Sequence, residues 1–105
     1  MRRRYLALKI ECTQKIDEED LKTAVWNAVS RLFGEYGASR AGLVLIEYDE
    51  TKNYAVWRCE NVALELARAS LASITEINSK PAMIHVSGVS GTLKSLRRNL
   101  HPDNI

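Results

Sequence analysis

The sequence predicts an α+β domain of four strands and two long helices, with a short third helix near the C-terminus. Three observations lead to this fold class. The segment RYLALKIEC alternates apolar and polar residues with a period of two, as a half-buried strand does. Residues 21–33 repeat apolar side chains at helical spacing. Two later strand-like segments are separated by the polar stretch ETKN, which indicates a hairpin.

The first strand has one face suited to burial. Leu6, Leu8 and Ile10 point to that face, and Tyr5 and Lys9 point to the other. The strand is therefore expected to pack on helices with one side only.

The first helix is expected to begin after Asp17, which can cap it, and its first turn is acidic. Gly34 is expected to end it. The apolar residues expected to form its buried face are Leu21, Ala24, Val25, Ala28, Val29, Leu32 and Phe33. This face is wide enough to cover part of a sheet.

The second half of the chain repeats the pattern of strands and a helix. Residues 43–49 and 54–59 read as two hairpin strands, and Asn61 can cap a second helix. One face of that helix would hold Ala63, Leu64, Ala67, Ser70, Leu71, Ile74 and Ile77. Pro81 separates it from a fourth strand at residues 82–89, and a short helix then ends before Pro102.

This order of elements is that of the split βαβ, or ferredoxin-like and RRM-like, fold. Residues 1–105 are expected to form a single domain, with a four-stranded antiparallel sheet in the order 4-1-3-2 and two helices on one face. Strand 4 would run antiparallel to strand 1. We therefore expect residues 2–4 to lie beside residues 90–94.

Composition places the chain among ordinary folded domains. Apolar residues make up 46% and charged residues 27% of its 105 residues, so it resembles neither a disordered tail nor a membrane protein. No apolar run approaches the roughly 18 residues that a membrane span needs. An intracellular, cytoplasmic protein without membrane contact is the expectation.

The sequence offers no pattern of catalytic or metal-binding residues. Cys12 and Cys59 lack metal-ligand spacing and are expected to be reduced, near one another at the same ends of strands 1 and 3. His85 and His101 have no carboxylate placed beside them by spacing. We therefore expect no catalytic residues, no metal site and no cofactor in the protein.

Charge is concentrated at the two ends of the chain. The net charge is only +2, but residues 1–10 hold four cationic residues and no acid, and residues 92–105 hold three cationic residues and one acid. On a short helix after the SGT turn, leucines at 93, 96 and 100 would dock while the cations stay exposed. The turn itself offers two hydroxyls and the free amides of a helix start, which suit a phosphate oxygen. The alternative is an ordinary capped surface helix with solvated cations.

Tyr5 and Arg58 are expected on the sheet face away from the two long helices. There they could stack a nucleic-acid base if that face is open. The favoured alternative is that the leucines of the terminal helix cover this face. The candidate binding residues for RNA are Arg2, Arg3, Arg4, Tyr5, Arg58, Ser90, Gly91, Thr92, Lys94, Arg97 and Arg98.

Four segments resemble, in order and spacing, the Pop-five/Rpp-fourteen family of ribonuclease P protein subunits of archaea and eukaryotes. They are RRYLALKI, AVWNAVSRLFGEYG, LVLIEYDETKNYAVWRC and HVSGVSGTLKSLRR. The short length resembles the archaeal branch, although relatives there often extend further in helix beyond the position of Pro102.

The resemblance implies a non-catalytic subunit of a ribonucleoprotein that removes the 5′ leader from precursor tRNA. It implies ribonuclease P RNA and a TIM-barrel-like protein subunit as partners, a dimer of heterodimers as one arrangement, and divalent metal (Mg²⁺) on the catalytic RNA. The residues alone leave a second reading open, a ferredoxin-like module that senses a small ligand or oligomerises without nucleic acid.

Overall fold

A computed structural model of the protein describes residues 2–100, and the side chains of residues 2–98. The strands are β1 (Arg3–Glu11), β2 (Val44–Asp49), β3 (Tyr54–Glu60), β4 (Glu76–Ile77), β5 (Lys80–Pro81) and β6 (Met83–Ser90). The helices are α1 (Glu18–Ala41), α2 (Leu64–Ala72) and α3 (Leu93–Leu100), and a 3-10 turn, Asn61–Ala63, precedes α2. No helix among residues 2–100 combines the length and the apolar character that crossing a membrane requires.

The main sheet has the predicted topology. Its strand order is β2-β3-β1-β6, and each neighbouring pair is antiparallel. With β6 as the fourth long strand, this is the predicted 4-1-3-2 order of the ferredoxin-like fold. β4 and β5 form a separate two-stranded hairpin that the sequence interpretation missed.

The first helix begins as predicted but continues further. The Asp17 carboxylate accepts a hydrogen bond from the Asp20 amide at 2.9 Å, so Asp17 caps α1. Gly34 has φ 79° and a non-helical backbone, so the first helical segment ends there as predicted, and a second segment continues α1 beyond this kink as far as Ala41. Gly42, at φ 63°, is the true C-cap.

Asn61 does not cap the second helix. The cap of the 3-10 turn is Glu60, and no side-chain hydrogen bond supports it. α2 also ends earlier than predicted, at Ala72. Ile74 and Ile77 are buried as expected, but Ile77 lies in β4 rather than on the helix.

The sheet has a large core on one face and a small one on the other. Leu6, Leu8 and Ile10 belong to the large core, which packs under α1 and α2. On the opposite face, Ala7 and Val56 are buried beneath Leu96 of α3.

The two cysteines lie at opposite ends of the sheet, which corrects the sequence expectation. β1 and β3 are antiparallel, so Cys59 lies opposite Arg4 while Cys12 follows the far end of β1 at Glu11. The expectation that they are near one another assumed parallel strands and was wrong. Both are free thiols.

Each edge strand of the main sheet carries one extra residue. In β6, Ser87 is skipped in the register between Gly88 and Val86, which pair with successive residues of β1. In β2, Ile46 is skipped in the same way opposite β3. These are β-bulges, which increase the local twist of a strand.

Candidate nucleic-acid interface

The two basic segments of the chain meet at one groove. Tyr5 lies opposite Ser90 in the antiparallel pair of β1 and β6, so the residues before Tyr5 run alongside those after Ser90. A groove of about 460 Å³ is lined by Arg2, Arg3, Arg4, Gly91 and Thr92. We call it the basic groove. The predicted juxtaposition of these two segments is confirmed.

The turn after β6 uses part of its polar groups to start α3. The Thr92 hydroxyl accepts a hydrogen bond from the Ser95 amide at 3.1 Å, as an N-cap does. Ser90 is buried, and its Oγ accepts from the Thr92 amide at 3.4 Å. The sequence suggested free amides at this helix start, but those of Thr92 and Ser95 donate hydrogen bonds within the turn. The Ser90 hydroxyl is buried.

α3 docks through its leucines, as predicted. Leu96 is buried and Leu93 packs on the same cluster, while Lys94, Arg97 and Arg98 are exposed. The side chain of Leu100, together with His101 and Pro102, lies outside the described residues. The turn that lines the groove leads directly into α3. The helix then crosses the sheet face, because its Arg97 reaches Glu47 of β2 at the opposite edge from β6.

Three of the candidate arginines contact an acidic or amide side chain. Arg97 forms a hydrogen-bonded ion pair with Glu47 of β2. Arg3 Nε lies 3.8 Å from Glu60 Oε2, and Arg4 Nε donates to Asn61 Oδ1 at 2.7 Å. Sequence reasoning missed Glu47, Glu60 and Asn61. The antiparallel register would have indicated Glu60, which lies opposite Arg3.

Tyr5 and Arg58 lie opposite one another on the sheet face that α3 covers. They pair in the register of β1 and β3, and both are half-buried. Tyr5 packs against the cluster that contains Leu96. The favoured alternative, a sheet face covered by the terminal helix, is therefore what the structure has, and a role for either residue in RNA binding stays a prediction.

Burial changes the acidity of one side chain near the basic groove, Cys59, and of one at the opposite end of β3, Tyr54. It raises the pKa of the Cys59 thiol from its ordinary 9.0 to about 11, with Glu60 adding to the rise and Arg4 opposing it. Burial also raises the pKa of Tyr54, with Glu47 adding to the rise and Arg97 opposing it. Neither group is poised to ionise near neutral pH.

A second, apolar groove lies between α1 and β2. Its volume is about 510 Å³, and it is lined by Lys22, Thr23, Val25, Trp26, Val29, Ala38, Leu43, Val44, Leu45 and Trp57. Trp26 is 47% exposed, whereas Trp57 is buried and its indole nitrogen has no hydrogen-bond partner among the described residues. We call this the α1–β2 groove, and it shares no residue with the basic groove.

The fold and the two grooves define a class of protein. It is a small ferredoxin-like domain whose second sheet face is closed by a terminal helix, with arginines gathered at one end of the sheet. Within the described part of the chain, no three His, Cys, Asp or Glu side chains converge to hold a metal ion.

The chain belongs to the Rpp14/Pop5 family, whose model matches residues 4–101. It is 37% identical over 97 residues to ribonuclease P protein component 2 of Pyrococcus furiosus, covering 92% of this chain and 81% of the relative. It is 36% identical over 102 residues to ribonuclease P protein component 2 of Methanobrevibacter smithii, covering 90% and 85%.

The fold is also similar to that of a chain in a cryo-EM structure of yeast ribonuclease MRP. The TM-score is 0.74, and the match covers 98% of this chain and 94% of the yeast chain. Sequence identity is 14%, so this likeness concerns the fold alone. It is consistent with the predicted ferredoxin-like topology.

Proposed function

We propose that the chain is a non-catalytic protein subunit of the ribonuclease P ribonucleoprotein, which removes the 5′ leader from precursor tRNA. The observation that carries the proposal is the similarity to ribonuclease P protein component 2, which extends over most of the chain and most of the relatives. The grooves supply the physical means, a basic surface for RNA and an apolar surface for protein.

RNA is proposed to bind along the basic groove and the exposed cations of α3. Lys94 and Arg98 take part in no ion pair among the described side chains, so they retain their charge for phosphate. Each phosphate that they neutralise releases condensed counterions, which makes binding dependent on salt. In this proposal, Mg²⁺ lies on the RNA, and the protein supplies charge and position.

The partner subunit, proposed to be TIM-barrel-like, would bind at the α1–β2 groove. Exposed apolar surface rimmed by polar residues is typical of protein interfaces, and tryptophan is enriched at their centres. Trp26, which lines this groove, is 47% exposed and offers the partner an aromatic contact. Because the grooves share no lining residue, RNA and the protein partner can bind at the same time. A dimer of heterodimers is the proposed assembly. An intracellular location stays a prediction.

Reconstitution tests the proposal. Ribonuclease P RNA, the partner subunit and this chain together are expected to cleave precursor tRNA faster than the same mixture without the chain. The chain alone is expected not to cleave in any divalent metal. Cleavage by the purified chain, or no gain on adding it, would overturn the proposal.

Salt dependence separates RNA binding from the alternative of a small-ligand sensor. Replacing Lys94 and Arg98 by alanine is expected to weaken RNA binding and to reduce the slope of log affinity against log salt by about one unit per lost contact. The matched control replaces Glu18 and Glu19 on α1 by glutamine, and it is expected to leave the slope unchanged. An unaltered slope in the Lys94 and Arg98 variant would mean that these side chains are solvated and do not contact the RNA.

A further inference from the structure

Asn61 connects the start of β1 to the end of β3. Its backbone amide donates to the Arg2 carbonyl at 2.9 Å, and its side-chain Oδ1 accepts from Arg4 Nε at 2.7 Å. Because the side chain is used in this way, it does not cap α2. A single residue therefore fixes both the backbone of the arginine segment and one guanidinium group.

The chemistry of this contact differs from that of the neighbouring arginine. Arg3 lies against the Glu60 carboxylate, which offsets its charge. Arg4 is held by an amide, which is neutral, so its orientation is fixed while its full positive charge remains. The contact uses Nε alone, and the two terminal nitrogens make no hydrogen bond among the described residues. Those nitrogens form the fork that matches two oxygens of a phosphate.

Arg4 is also the most enclosed of the three arginines. It is half-buried and lines the basic groove, whereas Arg2 and Arg3 are exposed. A long side chain loses rotamer freedom when it binds a ligand, and one that is already ordered loses less. Because Asn61 already orders the Arg4 side chain, less conformational entropy is lost when Arg4 binds a phosphate.

We propose that Asn61 is a positioning residue that orients the Arg4 guanidinium for bidentate binding of an RNA phosphodiester in the basic groove. The inference rests on the proposed function and deepens it, because it names the chemical group that is bound and the arginine that binds it. Asn61 acts through Arg4 and does not touch the phosphate.

A double-mutant cycle tests the proposal. Asn61→Ala is expected to lower affinity about three- to tenfold, as expected for losing the order of one long side chain, with the salt slope retained. Arg4→Ala is expected to lower affinity and to reduce the salt slope by about one unit. In the Arg4→Ala background, Asn61→Ala is expected to have no further effect on affinity. Additive losses, or normal affinity in Asn61→Ala, would mean that Asn61 is merely structural.

A charged variant separates orientation from charge. Asn61→Asp keeps the size and the acceptor of the side chain but places a carboxylate on Arg4, so the salt slope is expected to fall as it does in Arg4→Ala. Asn27→Asp on the exposed surface of α1 is the matched control, because it adds the same charge elsewhere. An equal slope change in both variants would contradict the proposal. Circular dichroism and thermal unfolding of every variant identify any that fail to fold.

The probes are transcribed ribonuclease P RNA and an unrelated RNA hairpin. Coupling between Asn61 and Arg4 on the hairpin, without reconstitution of precursor-tRNA cleavage, would sink the proposed function and leave this inference standing. Normal reconstitution of precursor-tRNA cleavage without coupling between Asn61 and Arg4 on either RNA would support the proposed function and overturn this inference.

Discussion

The two faces of the sheet differ greatly in how much they bury. The face toward α1 and α2 covers a cluster that runs from β1 through both helices to Ile84, with most of its members almost fully buried. Among the described side chains, the hydrophobic cluster on the opposite face has three buried members, Ala7, Val56 and Leu96. The first face therefore supplies the stability of the fold, and the second holds one helix in place.

Few contacts hold α3 on the sheet: the small cluster around Leu96 and one exposed ion pair. A helix of eight residues is not stable alone in water, because the cost of nucleation exceeds what so few hydrogen bonds return. Burying Leu96 contributes about 1.5–3 kcal/mol, and the ion pair between Arg97 and Glu47 is exposed and adds less. We expect α3 to open more readily than the rest of the molecule.

The largest predicted effect is on the α1–α2 face. Leu71→Ala removes a fully buried side chain of α2 and is expected to lower the free energy of unfolding by about 2–5 kcal/mol. Urea denaturation measures this loss. Val62→Ala is the control, because Val62 is 91% exposed and its replacement is expected to change little. A loss below 1 kcal/mol at Leu71 would contradict the assignment of stability to this face.

A smaller and local effect is predicted for Leu96→Ala. Removal of the anchor is expected to abolish the protection of α3 amides against hydrogen exchange while the amides of β1 and β3 stay protected. The global free energy of unfolding should fall by less than in Leu71→Ala. If the strand amides lost protection to the same extent as α3, the two faces would form one cooperative unit and the comparison would fail.

Alkaline pH is expected to lower the stability of the fold, first through Cys59 on the α1–α2 face. A thiol whose pKa is raised on folding contributes stability that is complete below its unfolded pKa, near 9, and is lost as the pH rises toward 11. The pKa of Tyr54, on the α3 face, is also raised by folding, so its contribution to stability is likewise lost as the pH rises, but only above its ordinary pKa of 10. Urea midpoints from pH 8 to 10 are thus expected to fall, and to fall less in Cys59→Ala. Equal slopes in both proteins would disprove the role of Cys59.

The smallest predicted effect concerns the exposed ion pair. Glu47→Gln releases Arg97 for phosphate, so RNA affinity is expected to rise by a few-fold and the salt slope by up to about one unit. Filter binding at several salt concentrations measures both. Glu65→Gln on α2 changes the net charge equally at an exposed site away from α3 and is expected to show less. An identical gain in both variants would mean that Arg97 was never restrained.

The sequence predicted the elements whose local signals agree with their tertiary setting. Alternation along β1, the Asp17 cap and the leucines at 93 and 96 have the predicted roles, because each pattern is satisfied by the same packing that it indicates. The topology then followed from the order of elements, and it brought the arginines of residues 2–4 beside the turn at Gly91.

The errors arose where one local signal has more than one structural solution. Gly34 breaks the helix as predicted, but the sequence interpretation missed the second helical segment that follows it, in which Ala38 and Ala41 are buried. Ile74 and Ile77 continue the spacing of α2, yet Asn78 and Ser79 adopt positive φ and turn the chain into a hairpin. The contacts of Asn61 and Arg97 depend on how elements dock, which no local pattern encodes. The basic groove was thus predictable in its location and not in its internal contacts.

The bulges at Ser87 and Ile46 have a consequence for the behaviour of the chain at high concentration. Both outer strands of a four-stranded sheet expose backbone donors and acceptors that could recruit a strand from another molecule and begin aggregation. One extra residue in each edge strand interrupts the ladder and twists it, so neither edge offers a flat template. We therefore expect the two bulges to disfavour edge-to-edge pairing between copies of the chain at both edges of its main sheet.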